Sequence, residues 1–475
     1  MIKYLTFAVC ILLGMICYTQ NINLEPSFQK KVFEHASVAL TIINAESGEV
    51  LFDHNGDLAL IPASTLKAVT TFSGLEILGE DFTFNTNVYY SGDVLEDGSL
   101  YGNIIIKGSG DPTLASPFFS KSENLEKIKQ KILRSIRKIG IKCIEGTVII
   151  DNSFYNDSPI NPTWQWNDLS NYYAAGAWAF NIHENLFRIY FNRTYKEFHP
   201  TSISHLDPMI PNVIIDSKVK TGKFESGDNA YIYSHPYHHE LTIKGTIPPG
   251  QGLFKIKGAI PRPDLFFKNN FIGFLNDKRL ITSTFPFFLK EKTNRIKKIL
   301  TLKSPSLSEI VKETNFKSNN LYAEAILKSL AIRIKGKANT QNGISAIRVL
   351  LAKLDLKTSS FNHIDGSGLS SRNRISTAFL ATFLYKLYNQ HDVDYFKRHL
   401  PKAGEEGTVR SLFNNHNSDF DMYLKSGSMS QVQGYCGIIT SSKDKLIFSF
   451  ISNGHVHGNQ SIRIAFVDLL QKFMQ

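Results

Sequence analysis

The apolar and polar positions of this chain fall into three stretches of different texture. Near the start, Ser37–Asn44 and Glu49–His54 carry β-type patterns, and Ala45-Glu46-Ser47-Gly48 between them is a turn set. Together they predict a hairpin. Pro62 then precedes Ser64–Leu78, where Val69, Phe72, Leu75 and Ile77 form an apolar stripe at helical spacing, closed by Gly79. From Phe84 the texture changes. Short β-type runs occupy Thr86–Ser91, Asn103–Lys107 and Thr147–Asp151, a Lys-rich helical stretch covers Leu125–Ile139, and turn-rich aromatic segments continue to Pro261. Helical patterns return at Asp264–Leu275, Leu307–Thr314, Asn320–Ile334, Ile344–Leu354 and Thr377–Tyr388. Three strand-like runs follow at Met422–Ser426, Tyr435–Thr440 and Leu446–Ser452, and Ile462–Phe473 closes the chain as an amphipathic helix.

This order predicts an α/β (α+β) protein. The first hairpin and helix can join the C-terminal helices and strands around one antiparallel sheet, so residues 20–84 and 262–475 form one discontinuous unit. Residues 85–261 are then inserted material, read as two smaller β-rich domains. The chain has 475 residues, 42% hydrophobic and 20% charged, which is enough apolar material for such cores. No repeat of fixed period and no low-complexity block interrupts it.

The first residues predict export. Lys3 precedes an uncharged apolar run, Tyr4–Tyr18, too short for a comfortable membrane span. Cys17-Tyr18-Thr19 before Gln20 is a serviceable cleavage site, giving a signal peptide over residues 1–19. Lipidation at Cys17 and a retained anchor are the rival readings. Beyond the signal only Cys143 and Cys436 remain, which is neither a disulfide framework nor a metal set. The net charge of +11 comes without a basic stripe interleaved with aromatics, so nucleic acid is not an expected partner. A diffuse positive field suits peripheral association with a cell wall or membrane surface, or simply a soluble basic surface.

The chemistry begins at Ser64-Thr65-Leu66-Lys67. On a helix, positions i and i+3 share a face, so the serine and lysine can meet. A desolvated lysine loses pKa and can take the serine proton, which activates a poor nucleophile. The same spacing recurs at Ser27–Lys30, Ser135–Lys138, Ser217–Lys220 and Ser442–Lys445, where a solvated surface pair is the simpler reading. Ser64 differs because Leu58, Leu60, Ile61, Ala68 and Val69 surround it, and Pro62-Ala63 sets it at a helix start, where backbone N–H groups favour an anion. Ser318-Asn319-Asn320 places a hydroxyl and an amide two apart at another helix start, which alone would read as an N-cap. Lys425-Ser426-Gly427 ends a strand-like run. Alternation sends Lys425 and Ser426 to opposite faces, and the glycine permits close backbone approach.

In this order the three motifs resemble the S-x-x-K, S-x-N and K-T-G set of penicillin-binding proteins and serine β-lactamases. Roughly 250 residues separate the first two, more than an ordinary domain. That spacing is similar to the D-alanyl-D-alanine carboxypeptidase/endopeptidase family, the class C low-molecular-mass penicillin-binding proteins. Further segments carry the resemblance: Gly108-Ser109-Gly110-Asp111-Pro112-Thr113-Leu114, Trp164-Gln165-Trp166-Asn167-Asp168 with Tyr172-Tyr173-Ala174, Ser318–Glu324, Asp365–Ser370 and Gly407-Thr408. Ser426 departs from the family threonine, and Ser428-Met429-Ser430-Gln431 matches only loosely.

The resemblance implies a β-lactamase/transpeptidase-like domain and a serine hydrolase of peptidoglycan stem peptides that β-lactams acylate. It implies Ser64 as nucleophile, Lys67 as general base, Ser318 as proton relay, Asn320 as a substrate-amide contact and Lys425 as a positive charge. Ser426, Gly427 and Ser428 would line the substrate strand, with the N–H groups of Ser64 and Ser428 as oxyanion hole. Asp168 would meet the side-chain amine of a diaminopimelate residue. No cofactor or metal is expected.

Other chemistries fit less well. No Gly-x-Ser-x-Gly elbow occurs, His183-Glu184 lacks a second zinc-protease histidine, and Gly108-Ser109-Gly110 lacks a phosphate-loop lysine. His235, His238, His239 and Glu240 read as an exposed polar loop rather than a metal site. A β-lactamase or esterase of the same fold would release hydrolysed penicillin quickly. The intact Ser64, Lys67, Ser318, Asn320 and Lys425 argue against a non-catalytic penicillin-binding or wall-binding protein, and an assay decides between them.

Overall fold

The computed structural model describes residues 24–120, 123–282, 296–334, 337–413 and 419–474, so the signal-peptide reading for residues 1–19 lies outside the described residues. After a short helix α1 (Glu25–Phe28), the expected hairpin forms from β1 (Ser37–Asn44) and β2 (Val50–His54), and α2 runs Leu66–Leu78. The middle of the chain holds β3 (Asn85–Val94), β4 (Ser99–Lys107), α3 (Leu125–Lys138), β5 (Cys143–Ile144) and β6 (Val148–Asp151). It continues with β7 (Leu186–Asn192), β8 (Ser202–Asp207), β9 (Ile214–Thr221), β10 (Tyr231–Tyr233), β11 (Glu240–Ile247), β12 (Leu253–Ala259), α4 (Pro263–Asp277) and β13 (Ile296–Lys303). Then come α5 (Leu307–Lys317), α6 (Asn320–Leu330), α7 (Thr340–Lys353), α8 (Thr377–Tyr388) and α9 (Val393–His399). The chain ends with β14 (Phe420–Met429), β15 (Val432–Ser441), β16 (Lys445–Asn453) and α10 (Asn459–Met474).

The fold is mixed, with helices on both faces of a five-stranded antiparallel sheet ordered β14-β15-β16-β1-β2. Strand alternation divides its side chains between two cores. Ala39, Ile43, Ile438, Ile447 and Ile451 pack with α2 and α5 to α9, while Leu40, Ile42, Tyr435, Phe448 and Phe450 pack with α10. Because both faces are covered, these strands read as long apolar runs.

The predicted stripe on α2 understates its burial. From Leu66 to Leu75 every residue is buried, polar ones included. A helix enclosed on all sides must satisfy its polar groups internally. Thr70 donates its hydroxyl to the Gly366 carbonyl at 2.7 Å, and Thr71 to the Lys67 carbonyl at 2.7 Å.

The middle segment leaves and rejoins the sheet unit at one point. Ser304 N–H donates to the Phe84 carbonyl at 3.0 Å, and Phe84 N–H to Ser304 Oγ at 2.9 Å. The expected return at residue 262 therefore comes later in packing terms. Strand β13 pairs with β3, and Phe266, Phe267, Phe271 and Phe274 of α4 pack with Ile104, Ile132 and Ile189 of the inserted region. Three sheets make up that region (β13-β3-β4-β5 with β6 beside β4, β12-β7-β8 and β10-β11-β9), yet they bury one contiguous apolar cluster instead of two. Among the described residues, no helix is long and apolar enough to cross a membrane. Cys143 and Cys436 are both free thiols.

Phe271 is fully buried and stacks on Phe267 and Phe274 at 5.6 and 6.2 Å. Phe271→Ala is expected to cost about 3–5 kcal/mol in the inserted unit, read as an earlier thermal or urea transition. An unchanged transition would mean that α4 does not belong to that core.

Candidate active site

The nucleophile candidate sits where the backbone is least ordinary. Pro62 leads into a 3₁₀ turn, Ala63–Thr65, that feeds α2, and Ala63 adopts φ 47°. An alanine in the left-handed region costs about 1–2 kcal/mol, so surrounding contacts must hold the turn. Thr65 supplies one, its hydroxyl donating to the Pro62 carbonyl at 2.7 Å. Gly368 supplies another, since a Cβ there would stand 1.9 Å from the Ala63 carbonyl oxygen. One helical turn on, Lys67 Nζ lies 2.9 Å from Ser64 Oγ and 2.5 Å from the Ser367 carbonyl.

Lys67 has no solvent exposure. Burial, and after it the charge of Lys425, holds its pKa well below the ordinary 10.5, while Asp365 and Glu324 oppose the fall. Those carboxylates act structurally on the loop that carries Ser367. Glu324 accepts from the N–H groups of Gly366 and Ser367 at 3.1 and 2.8 Å, and burial raises its pKa to about 7. Asp365 accepts from Gly368 and Ser370 N–H, from Asn373 and from the indole N–H of Trp164 at 2.6–2.9 Å. The last bond ties the inserted region to the loop.

Ser318 lies between α5 and α6 in the left-handed conformation, φ 55° and ψ 41°. Its Oγ accepts from Lys425 Nζ at 3.0 Å, and the same ammonium reaches the Ser426 carbonyl at 2.6 Å. Lys425 is also fully buried, and burial lowers its pKa to about 7. Asn320 donates its amide to the Tyr173 carbonyl at 2.6 Å. Ser426 exchanges a hydrogen bond with Thr408 at 2.7 Å. Gly427 presses on the nucleophile turn, since a Cβ there would lie 2.8 Å from Ser64 N.

Ser64, Ser318, Asn320, Ser426, Ser428 and Asp168 all line one cleft of about 880 Å³. Lys67 and Lys425 stand behind the two serines. Asp168 is half-buried and accepts from the Tyr173 hydroxyl at 3.1 Å. Burial raises its pKa, and the Tyr173 hydrogen bond opposes the rise.

Sequence reasoning missed several contributors. Glu184 is buried in the inserted region, accepts from Asn319 Nδ2 at 2.8 Å and from the Tyr322 hydroxyl, and so holds the middle residue of Ser318-Asn319-Asn320. Burial raises its pKa to about 7. Asn459 of α10 donates to Ser428 Oγ at 2.7 Å, and Arg463, one turn later, also lines the cleft. A carboxylate at a positive-φ residue and contacts between distant segments leave no local pattern for these roles; Glu184 shows only as half of an incomplete zinc motif, and nothing marks Asn459 or Arg463.

Residues 20–472 match the D-Ala-D-Ala carboxypeptidase 3 (S13) family. The chain belongs to this family. It is a serine peptidase of the penicillin-binding type. It is 27% identical to penicillin-sensitive carboxypeptidase A of Dictyostelium discoideum, over 92% of this chain and 87% of the relative. It is 23% identical to D-alanyl-D-alanine carboxypeptidase DacB of Haemophilus influenzae, over 95% and 92% of the two chains. The crystal structure of penicillin binding protein 4 from Haemophilus influenzae superposes with a TM-score of 0.81 at 22% identity, covering 95% of this chain and 99% of that one. A β-lactam complex of the same protein gives 0.76 at 21% identity, with the same coverage of each chain.

Gly427→Ala tests the contact of β14 with the nucleophile turn. A shift near 1 Å costs about 10²-fold in acylation by labelled penicillin, and the overpacked contact should cost about 1–3 kcal/mol in unfolding. An unchanged acylation rate would show that the turn tolerates displacement.

Proposed function

We propose that this S13 peptidase is exported and cleaves the bond between two D-alanines at the end of peptidoglycan stem peptides, through an ester on Ser64. The observation that carries the reading is the buried Lys67 amine 2.9 Å from Ser64 Oγ. Burial favours the neutral amine. Lys67 then takes the Ser64 proton as Oγ attacks the carbonyl carbon between the D-alanines. The N–H groups of Ser64 and Ser428 receive the developing oxyanion, where each donor is worth about 10²–10³ in rate. Ser318, hydrogen-bonded to Lys425, relays a proton to the departing D-alanine amine, giving up its own and regaining the one Lys67 took from Ser64, so that Lys67 is neutral again for the water step. Lys425 supplies positive charge from behind Ser318, the hydroxyl of Ser426 binds the terminal carboxylate, and Asn320 holds the substrate amide. Water then hydrolyses the ester.

Asp168, which lines the same cleft, meets the side-chain amine of the third stem residue, a diaminopimelate. The names of relatives support the D-alanine substrate, and a β-lactam complex of a structural neighbour supports β-lactams as covalent inhibitors. The apolar run Tyr4–Tyr18 after Lys3 supports export to a periplasmic or extracytoplasmic wall.

Two experiments test this reading. Labelled penicillin should attach to the native protein and not to Ser64→Ala, and the native protein should release D-alanine from disaccharide pentapeptide. Label on the alanine variant would overturn the nucleophile assignment, and split cross-linked dimers would add endopeptidase action. The pH dependence has a definite sign. Acylation should rise with pH as Lys67 loses its proton, at a midpoint below 10.5. It should fall on the alkaline side as Lys425, at about 7 in the free protein, loses its charge. Lys67→Arg, which cannot become neutral, should lose about 10²–10⁴-fold. Retained rate in the arginine variant, or a pH-independent rate, would contradict the base.

A further inference from the structure

Beyond the cleft lies a second, shallower hollow lined by Trp166, Tyr233, His235, His238, Glu240 and Lys244. It shares no residue with the cleft, yet the two are joined along two segments. Strand β10 puts Tyr231 in the cleft and Tyr233 in the hollow, two residues on, which is about 7 Å along a strand. The loop before it does the same, with Asp168 in the cleft and Trp166 in the hollow.

The two segments are locked together. The buried Asn171 accepts from Ile232 N–H at 3.0 Å and donates to the Ile232 carbonyl at 3.3 Å and to the Asn167 carbonyl at 2.8 Å. The surface is therefore held in place. Strand alternation buries Ile232, Leu241 and Ile243 and turns Tyr233, Glu240, Thr242 and Lys244 outward.

Trp166 is 58% exposed, although an indole of this size normally finds cover. Its neighbours are hydroxyl, imidazole, carboxylate and ammonium groups, with Lys244 Nζ 5.8 Å from the centre of the Tyr233 ring. An apolar protein partner would leave these groups unpaired and desolvated. A sugar ring suits them. Its C–H face packs on an aromatic ring while its hydroxyl and amide edge pairs with the polar rim.

We propose that this hollow binds the glycan strand of peptidoglycan, an N-acetylated amino-sugar polymer. The inference rests on the stem-peptide reading for its orientation. With the third stem residue at Asp168, two more residues lead back to the sugar. Extended, they span about 7 Å, which carries the sugar away from Asp168, and Trp166 of the hollow lies two residues from Asp168 in the chain. The glycan contact recognises the wall-linked form of the substrate and sets the direction in which the stem peptide enters.

The test is binding of a peptide-free tetrasaccharide of alternating N-acetylglucosamine and N-acetylmuramic acid, followed by calorimetry on the full chain, with penicillin acylation measured in parallel. The native protein should bind it saturably. Trp166→Ala and Tyr233→Ala should each weaken binding roughly tenfold or more, Trp166→Phe should retain most of it, and acylation should stay unchanged in all three. Absent binding to the native protein, or equal binding to Trp166→Ala, would overturn the glycan site even if penicillin still labels Ser64. Binding without any acylation would support the glycan site and sink the hydrolase reading instead.

Discussion

The structure turns on one buried amine. Lys67 is held between Ser64 Oγ and the Ser367 carbonyl, out of contact with water. A protonated ammonium there would have to be desolvated beside the second buried lysine, Lys425, so the neutral form is favoured. That single constraint gives the helix start its chemistry. The same Ser-x-x-Lys spacing on a solvated face would leave the lysine charged and the serine inert.

Holding the amine requires more than α2. The Ser367 carbonyl is aimed by a loop whose N–H groups are tied to Glu324 of α6 and to Asp365, and Asp365 in turn receives Trp164 from the inserted region. Glu184, also inserted, clamps Asn319 beside Ser318. The inserted region is thus more than a covering. It closes one wall of the cleft with Asp168, Tyr172 and Tyr173, and it fixes two of the three loops that bear chemistry. Such a site fails if any of these segments shifts, because donors and acceptors this deeply buried have no water to fall back on.

Much of this was legible in the sequence. The hairpin, the helix after Pro62 and the three C-terminal strands each carried a local period that the packing preserves, and the motif residues from Ser64 to Ser428 line or underlie one cleft. The parts that escaped have physical reasons. Helix α4 reads as a helix rich in phenylalanine, and nothing local says which core those phenylalanines enter. Strand β13 is marked only by its pairing with β3. The turn at Ala63 and the link at Ser318 rely on left-handed backbone at non-glycine residues, which propensity argues against and tertiary contacts impose. Glu184 was visible only as half of an incomplete zinc motif, because its partners lie about 135 residues away.

The most direct test is a titration of the Lys67 side chain itself, by NMR of the ζ-nitrogen with Lys67→Arg to assign the signal. The account predicts a neutral amine in the resting protein at mildly alkaline pH, with a midpoint well below 10.5. A midpoint at or above 10.5 would contradict it, because Ser64 would then face a permanent cation instead of a base.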